Sequence, residues 1–153
     1  MDILIKSLDQ ALETERLYVN PLKASDAAAA FESLQNDDLY KWISMAKPRS
    51  VESLAVDWSS VESRLSPDGK EIWLAWFVTR KFDGAPIGCV DACIDAEMIA
   101  LNFGYYFFVN SWGKGYATEA ASVVIERFTR TIPGNDMIRG TSVYDDEYVL
   151  EWA

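Results

Sequence analysis

The stretch from Phe103 to Phe128 constrains the fold of this chain more than any other part of the sequence. It opens with an apolar, aromatic run of strand character, continues through two glycines, Gly113 and Gly115, and ends in a helical pattern. The first N–H groups of a helix lack intrahelical partners, and the helix dipole places partial positive charge beside them. Glycine lets the backbone approach a bound group closely because it has no Cβ. The stretch therefore predicts a phosphate-binding turn at a helix N-terminus.

Known phosphate-binding loops can be compared with this turn residue by residue. A P-loop requires Gly-Lys followed by Ser or Thr, but Lys114 is followed by Gly115. A dinucleotide-binding fingerprint requires a third small residue in GxGxxG spacing, and that place holds Thr118. A plain strand–turn–helix connection, with glycines only for tightness, is a further interpretation that these residues leave open.

The loop Trp112-Gly-Lys-Gly-Tyr-Ala117 resembles the Gln/Arg-x-x-Gly-x-Gly/Ala loop of the GCN5-related N-acetyltransferase (GNAT) superfamily, with Trp in the first place. With Gly104-Tyr105 before it and Thr-Glu-Ala after it, the string is similar to the RimJ/RimL branch, the ribosomal-protein N-terminal acetyltransferases and their relatives. The opening Glu13-Thr-Glu-Arg-Leu17 also resembles the start of such chains. The resemblance covers residues 14–143.

The order of elements predicts an α+β fold with a mixed central sheet flanked by helices, in one domain over 1–153. Three apolar runs are typical of an antiparallel meander, at 71–81, 86–94 and 98–109. The helix that begins at Tyr116 and a strand over 137–143 then add a parallel pair. Helices are also predicted over 26–35 and 51–65, and the resemblance implies that these two line the acceptor side of the site.

The C-terminal part is predicted to be truncated relative to the family. The resemblance implies an Asn-x-x-Ser motif opening another helix, but Glu147 and Leu150 stand at about those two places. A bare edge on the 137–143 strand would invite pairing with another chain, so we predict a homodimer with 137–152 in or beside the interface. The alternative is that 145–153 folds back as a shortened closing strand.

Composition narrows the range of functions. The formal net charge of −10 disfavours binding to nucleic acid and is compatible with a cationic acceptor. The chain has no histidine, and Cys89 and Cys93 alone cannot form a zinc site, so we predict no metal. Both cysteines are typical of small buried residues in a reducing cytoplasm. No apolar run has membrane-spanning length and no signal peptide is recognised, so we expect a cytoplasmic protein without a membrane partner.

The resemblance implies acetyl-CoA as co-substrate, a primary amine as acceptor, and direct attack in a ternary complex. In the family, the strand before the glycine loop splays from the strand after the helix, and its free backbone groups pair with the pantetheine arm. The pyrophosphate lies on the amides of the loop. Lys114 can contact phosphate or be solvated, and Glu119 is expected to point away. The implied cofactor-binding residues are Tyr105, Tyr106, Phe107, Trp112, Gly113, Lys114, Gly115, Tyr116, Ala117 and Thr118.

Catalytic groups are less apparent in the sequence. Asp91 interrupts an apolar run, so a raised pKa suited to a general base is one interpretation, and an edge-exposed or hydrogen-bonded aspartate is the other. Tyr144 is a candidate acid or a packing aromatic. Asn102, which cannot take up a proton, stands where many RimJ/RimL-like chains carry Glu. An N-acetyltransferase is therefore the leading hypothesis, with a non-catalytic acyl-CoA-binding module and a dimerising scaffold as alternatives.

Overall fold

A single seven-stranded sheet forms the centre of the protein. The computed structural model describes residues 2–95, 100–132, 137–141 and 148–151. The strands are β1 (Leu12–Glu13), β2 (Leu17–Pro21), β3 (Ile72–Arg80), β4 (Pro86–Ile94), β5 (Ala100–Phe107), β6 (Met137–Thr141) and β7 (Tyr148–Glu151). The α-helices are α1 (Asp2–Leu8), α2 (Ala27–Ala30), α3 (Val51–Val61) and α4 (Tyr116–Thr131). Shorter 3-10 turns cover Ala24–Asp26, Ser33–Gln35, Asp37–Lys41 and Val109–Ser111.

The strands lie in the sheet in the same order as in the sequence, from β1 to β7. Every neighbouring pair is antiparallel except β5 and β6, which are parallel and are joined by α4. The predicted α+β class, the meander of β3, β4 and β5, and the parallel β5–β6 pair are therefore confirmed. The mixed sheet places the end of β5, the glycine loop and the start of α4 at one edge of the molecule.

The expected bare edge on the 137–143 strand is wrong. Residues 148–151 pair antiparallel with β6, from Met137 opposite Glu151 to Gly140 opposite Tyr148. The tail thus supplies a short closing strand, as the alternative interpretation expected. We predicted a homodimer because of the bare edge, and that argument no longer applies. The homodimer stays a prediction that solution measurements can test.

Helices cover both faces of the sheet, so that two apolar cores form. Trp76 on β3 packs edge-on against Phe128 of α4, with ring centroids 6.0 Å apart, in the core shared with α1. On the other face Phe77 meets Trp58 of α3 at 5.9 Å, in the core shared with α2. Successive side chains of a strand point to opposite faces, which explains why β3 is apolar along nearly all its length.

The two helices on the acceptor side are shorter than predicted. In the first of them only Ala27–Ala30 is α-helical, and 3-10 turns at Ala24–Asp26 and Ser33–Gln35 take up the rest of the predicted range. The helix α3 begins at the cap Ser50, as predicted, but stops at Val61. Arg64 then adopts φ +60°, a left-handed conformation that terminates a helix.

Candidate active site

The parallel ladder between β5 and β6 is described as far as the middle of β5. The parallel ladder pairs only Phe103 with Gly140 and Gly104 with Thr141. On the other side, β5 stays paired with β4 as far as Phe107, which lies opposite Gly88. Thr141 is the last residue of β6 that the structure describes, so the described ladder ends at Gly104 while β5 continues to Phe107.

The open backbone groups can be assigned from the alternation of the strand. The N–H of Phe108 donates to the carbonyl of Ile87 at 2.8 Å, so the polar groups of Tyr106 also point toward β4. Those of Tyr105 and Phe107 point to the opposite side of β5, on which β6 lies. The Phe107 carbonyl accepts a hydrogen bond from the Trp112 indole at 2.6 Å. The parallel bridge between Gly104 and Thr141 pairs the Tyr105 N–H with the Thr141 carbonyl, so the Tyr105 carbonyl and the Phe107 N–H lie beyond the described ladder.

The glycine loop has the conformation that only glycine adopts easily. Gly113 has φ +76° and Gly115, the residue that caps α4, has φ +79°. A Cβ built on Gly113 would meet no protein atom within 4 Å, and one on Gly115 would meet only Arg16, at 3.5 Å. No side chain caps the first N–H groups of α4. The loop is thus an open cradle with unpaired amides, which fits a pyrophosphate group.

Arg16 fastens this loop to the start of the sheet. Its Nε donates to Glu119 Oε1 at 2.7 Å, its Nη1 donates to the Lys114 carbonyl at 3.0 Å, and its guanidinium lies 4.4 Å from the centre of the Tyr116 ring. Thr14 also donates to the Glu119 carboxylate. Desolvation raises the pKa of Glu119, but the hydrogen bonds from Thr14 and Arg16 and the Arg16 charge outweigh it. The net effect lowers the pKa, so the carboxylate stays ionised. The Glu119 carboxylate is thus held by Thr14 and Arg16, and the Arg16 guanidinium lies beside the loop.

We did not identify Arg16 as a site residue in the sequence. The only available signal was its place in the Glu-Thr-Glu-Arg-Leu motif, which carried no role. The contact joins residues about a hundred positions apart, so no local pattern could reveal it.

Other side chains of the loop have defined contacts. The ammonium of Lys114 donates to the Asn110 carbonyl at 3.2 Å and is exposed, which leaves both of its expected roles open. Trp112 packs between the two cores, and its indole closes the end of β5. Tyr116 is buried, Ala117 is half-buried and Thr118 is exposed on the first turn of α4.

A cleft of about 360 Å³ lies on the face of the sheet covered by α2 and α3. Its floor is formed where β4 carries Asp91 between two small neighbours, Ala75 on β3 and Gly104 on β5. Because neither neighbour has a long side chain, the sheet surface is lowered around the carboxyl group. The described residues that line the cleft are Leu22, Met45, Trp58, Val61, Trp73, Leu74, Ala75, Cys89, Asp91, Ala92, Cys93 and Tyr106.

Asp91 combines solvent access with an apolar surrounding. Its side chain is exposed through the mouth of the cleft, yet protein encloses it on its other sides. The resulting desolvation raises the pKa of the Asp91 carboxyl to about 6. No described residue donates a hydrogen bond to it, so the interpretation as a hydrogen-bonded structural aspartate does not fit the described contacts.

The other titratable groups of the cleft stay neutral near pH 7. Burial raises the pKa of Cys89 to about 12 and that of Cys93 to about 11. Burial also raises the pKa of Tyr106, whose hydroxyl hydrogen-bonds Cys89. Asp91 is therefore the group among the described lining residues that can exchange a proton near neutrality. The other predicted catalytic residue, Tyr144, lies outside the described residues.

The described part of the chain has neither a metal-binding cluster nor a membrane-spanning helix. Within the described ranges, no group of three or more His, Cys, Asp or Glu side chains is placed to hold a metal ion. Across the same ranges, no helix combines the length and the hydrophobicity needed to cross a bilayer.

This geometry agrees with comparisons to known proteins. The sequence profile described as the acetyltransferase (GNAT) domain matches residues 16–143. The chain therefore belongs to the GNAT acetyltransferase family, whose general activity is acyl transfer from a CoA thioester. Among curated proteins, no sequence was similar enough to count as a relative.

Solved structures share the fold at low sequence identity. A GNAT-family acetyltransferase from Bacillus anthracis has a TM-score of 0.66 and 18% identity, over 86% of this chain and 72% of its own. A candidate ribosomal-protein-serine acetyltransferase from Vibrio cholerae has a TM-score of 0.67 and 16% identity, over 87% and 74%. FdhC, a nucleotide-linked sugar GNAT, has a TM-score of 0.61 and 21% identity, over 86% and 72%. For another acetyltransferase structure, this chain covers only 65% of its length.

Proposed function

We propose that the protein is an acetyl-CoA-dependent N-acetyltransferase that acts on a primary amine, of the RimJ/RimL-like branch. The observation that carries the proposal is the left-handed glycine loop between β5 and α4, with open space at Gly113 and no side-chain cap on α4. A cradle that accepts a pyrophosphate directly after a strand matches the two polar parts of CoA, the pyrophosphate and the amide-containing pantetheine arm.

In this proposal the backbone holds most of the co-substrate. Tyr105 and Phe107 pair with the amides of the pantetheine arm, and the amides of the loop from Gly113 to Thr118 bind the pyrophosphate. The Nη2 of Arg16, which lies 3.5 Å from the place that a Cβ on Gly115 would take, adds a charged donor to the same phosphate. Two of the three interactions use main-chain atoms, which explains why the loop tolerates a Trp at its first position.

Asp91 then serves the acceptor. The carboxylate takes one proton from the ammonium group and later returns it to solvent, while the neutral nitrogen attacks the thioester carbonyl. The C–N bond forms, the C–S bond breaks, and a second proton of the nitrogen passes to the departing sulfur. By register, Asp91 and Gly104 lie side by side on β4 and β5, and Gly104 has no side chain that would separate the carboxylate from a thioester held along β5.

A non-catalytic acyl-CoA-binding module is the second candidate. Asn102, opposite Cys93 in the β4–β5 register, replaces the Glu that many RimJ/RimL-like chains carry there. If Asp91 does not take over its role, the chain would bind CoA without transferring its acyl group.

Release of free CoA thiol tests the two candidates. The purified chain is given acetyl-CoA and a panel of primary amines, and CoA affinity is measured separately by titration calorimetry. Thiol release that depends on amine and is lost in Asp91→Asn supports the transferase. Tight CoA binding without release for any amine favours the binding module, and absence of CoA binding refutes both.

The location, the partners and the assembly of the protein are part of the same proposal. A cytoplasmic location fits two cysteines that are both free. The acidic composition argues against a nucleic-acid partner, and no membrane partner is proposed. The proposed assembly is a homodimer, for which light scattering is the measurement.

A further inference from the structure

The residues that line the cleft over Asp91 indicate which class of acceptor the cleft binds, whereas membership of the family does not. Ten of its twelve described residues, counting both cysteines, are apolar or aromatic without a charge at neutral pH, and Tyr106 adds an aromatic ring. Asp91 is the charged group of this lining near pH 7. None of the described lining residues is Lys or Arg.

We infer that the acceptor is a primary amine with one positive charge on a compact aromatic or branched aliphatic body, bound with its ammonium on Asp91 and its body among Trp58, Trp73 and Met45. The inference rests on the proposed function, since it names the substrate class of that same site. It separates this chain from enzymes that take polyamines, amino sugars or amino acids.

The size of the cleft supports a compact body. Small-molecule sites have volumes of roughly 300–1,000 Å³, and the volume of about 360 Å³ lies at the low end of this range. Three aromatic rings in the lining, those of Trp58, Trp73 and Tyr106, provide large flat contact surfaces. Burying an apolar body there is favourable, while burying hydroxyl groups without partners is costly.

Charge complementarity selects a single ammonium. An alkylammonium beside a partly desolvated carboxylate restores the charge balance of the cleft, whereas an added carboxylate on the acceptor has no cation to meet. Glu71 accepts hydrogen bonds from two lining residues, Trp73 at 3.4 Å and Cys93 at 3.3 Å, but does not itself line the cleft. A second ammonium would therefore lack a carboxylate within the lining.

Matched acceptors test the substrate class. With saturating acetyl-CoA, we expect kcat/KM for 2-phenylethylamine to exceed that for spermidine, glucosamine and phenylalanine by about a hundredfold, since unpaired polar groups are rejected strongly. A peptide that begins with Phe presents the same ammonium and ring as 2-phenylethylamine, but at a peptide N-terminus. Comparing kcat/KM for these two compounds therefore distinguishes a protein N-terminus from a free amine as the acceptor. Turnover in which spermidine, glucosamine or phenylalanine is the best acceptor overturns the inference and leaves the proposed transferase intact.

Direct binding keeps the test independent of turnover. Titration of 2-phenylethylamine into the CoA-bound protein is compared with titration of 2-phenylethanol, which has the same ring and no charge. We expect the amine to bind about tenfold more tightly, and Asp91→Asn to abolish that difference while CoA affinity is retained. Amine binding of this kind without thiol release refutes the proposed function but supports the inference, and equal binding of both compounds overturns the inference.

A pair of aromatic substitutions locates the body of the acceptor. Trp73→Ala removes a half-buried ring of the cleft, and we expect it to raise KM for 2-phenylethylamine about tenfold with little change in CoA affinity. Phe82→Ala is the matched control, because this ring is 78% exposed in the turn between β3 and β4 and does not line the cleft. Equal KM values in the two variants would contradict the assignment.

Discussion

Replacing Gly115 with alanine is expected to weaken CoA binding, whereas its effect on folding should be limited to the cost of the left-handed backbone conformation. Gly115 has φ +79°, and alanine pays about 1–2 kcal/mol for this left-handed conformation. The added Cβ would lie 3.5 Å from Arg16 Nη2, an ordinary contact, so the protein itself offers no further clash. The folding cost should therefore be the backbone term alone.

The cost for CoA arises from the phosphate that the loop is proposed to hold. A methyl group at Gly115 would push the phosphate away from the amides of α4 and from Arg16. The loss of one charge-assisted hydrogen bond is worth about 1.5–3 kcal/mol, which corresponds to roughly a tenfold to hundredfold rise in Kd. Gly115→Val should weaken binding further, because its side chain is larger.

Gly69→Ala is the matched control. Gly69 has φ +73°, has open space where a Cβ would project, and lies in the turn before β3, outside the loop and the cleft. Urea unfolding should give similar destabilisation for both variants, while calorimetry should give wild-type CoA affinity only for Gly69→Ala. If both variants bind CoA equally well, the loop is not the phosphate site and the reasoning fails.

Four further predictions concern charged groups of the structure. Burial raises the pKa of Asp91 from 3.8 to about 6, so acetyl transfer should fall as pH is lowered through 6. The same raised pKa means that ionisation opposes folding, and Asp91→Asn should increase the free energy of unfolding at pH 8 but not at pH 4, measured with urea. Arg16→Gln should raise the Kd for CoA about tenfold by calorimetry, and an unchanged Kd would exclude Arg16 from the phosphate site. Arg64→Met should lower the free energy of unfolding by about 2 kcal/mol in urea, because it leaves the partly buried Asp9, 3.0 Å from Arg64 Nε, without its cation; an unchanged midpoint would contradict this role.

Local patterns determined much of the fold before any tertiary contact was known. Alternating and continuous apolar runs indicated β3 and β4, and a cap at Ser50 indicated the start of α3. The turn at Gly113 and Gly115 was readable because a left-handed backbone and a helix N-terminus are decided within a few residues. Asp91 was recognisable for a similar reason, since a charge within an apolar run is a local anomaly.

Only the tertiary structure decided how these pieces become a site. Asp91 lies in a cleft because cross-strand register places Ala75 and Gly104 beside it, and register depends on the packing of the whole sheet. Arg16 reaches Glu119, and β7 covers β6, through contacts that join distant segments. Propensity and periodicity act over a few residues and carry no information about such partners. The sequence therefore determined the elements and the loop, whereas the assembled sheet determined the acceptor cleft and the electrostatic environment of its carboxylate.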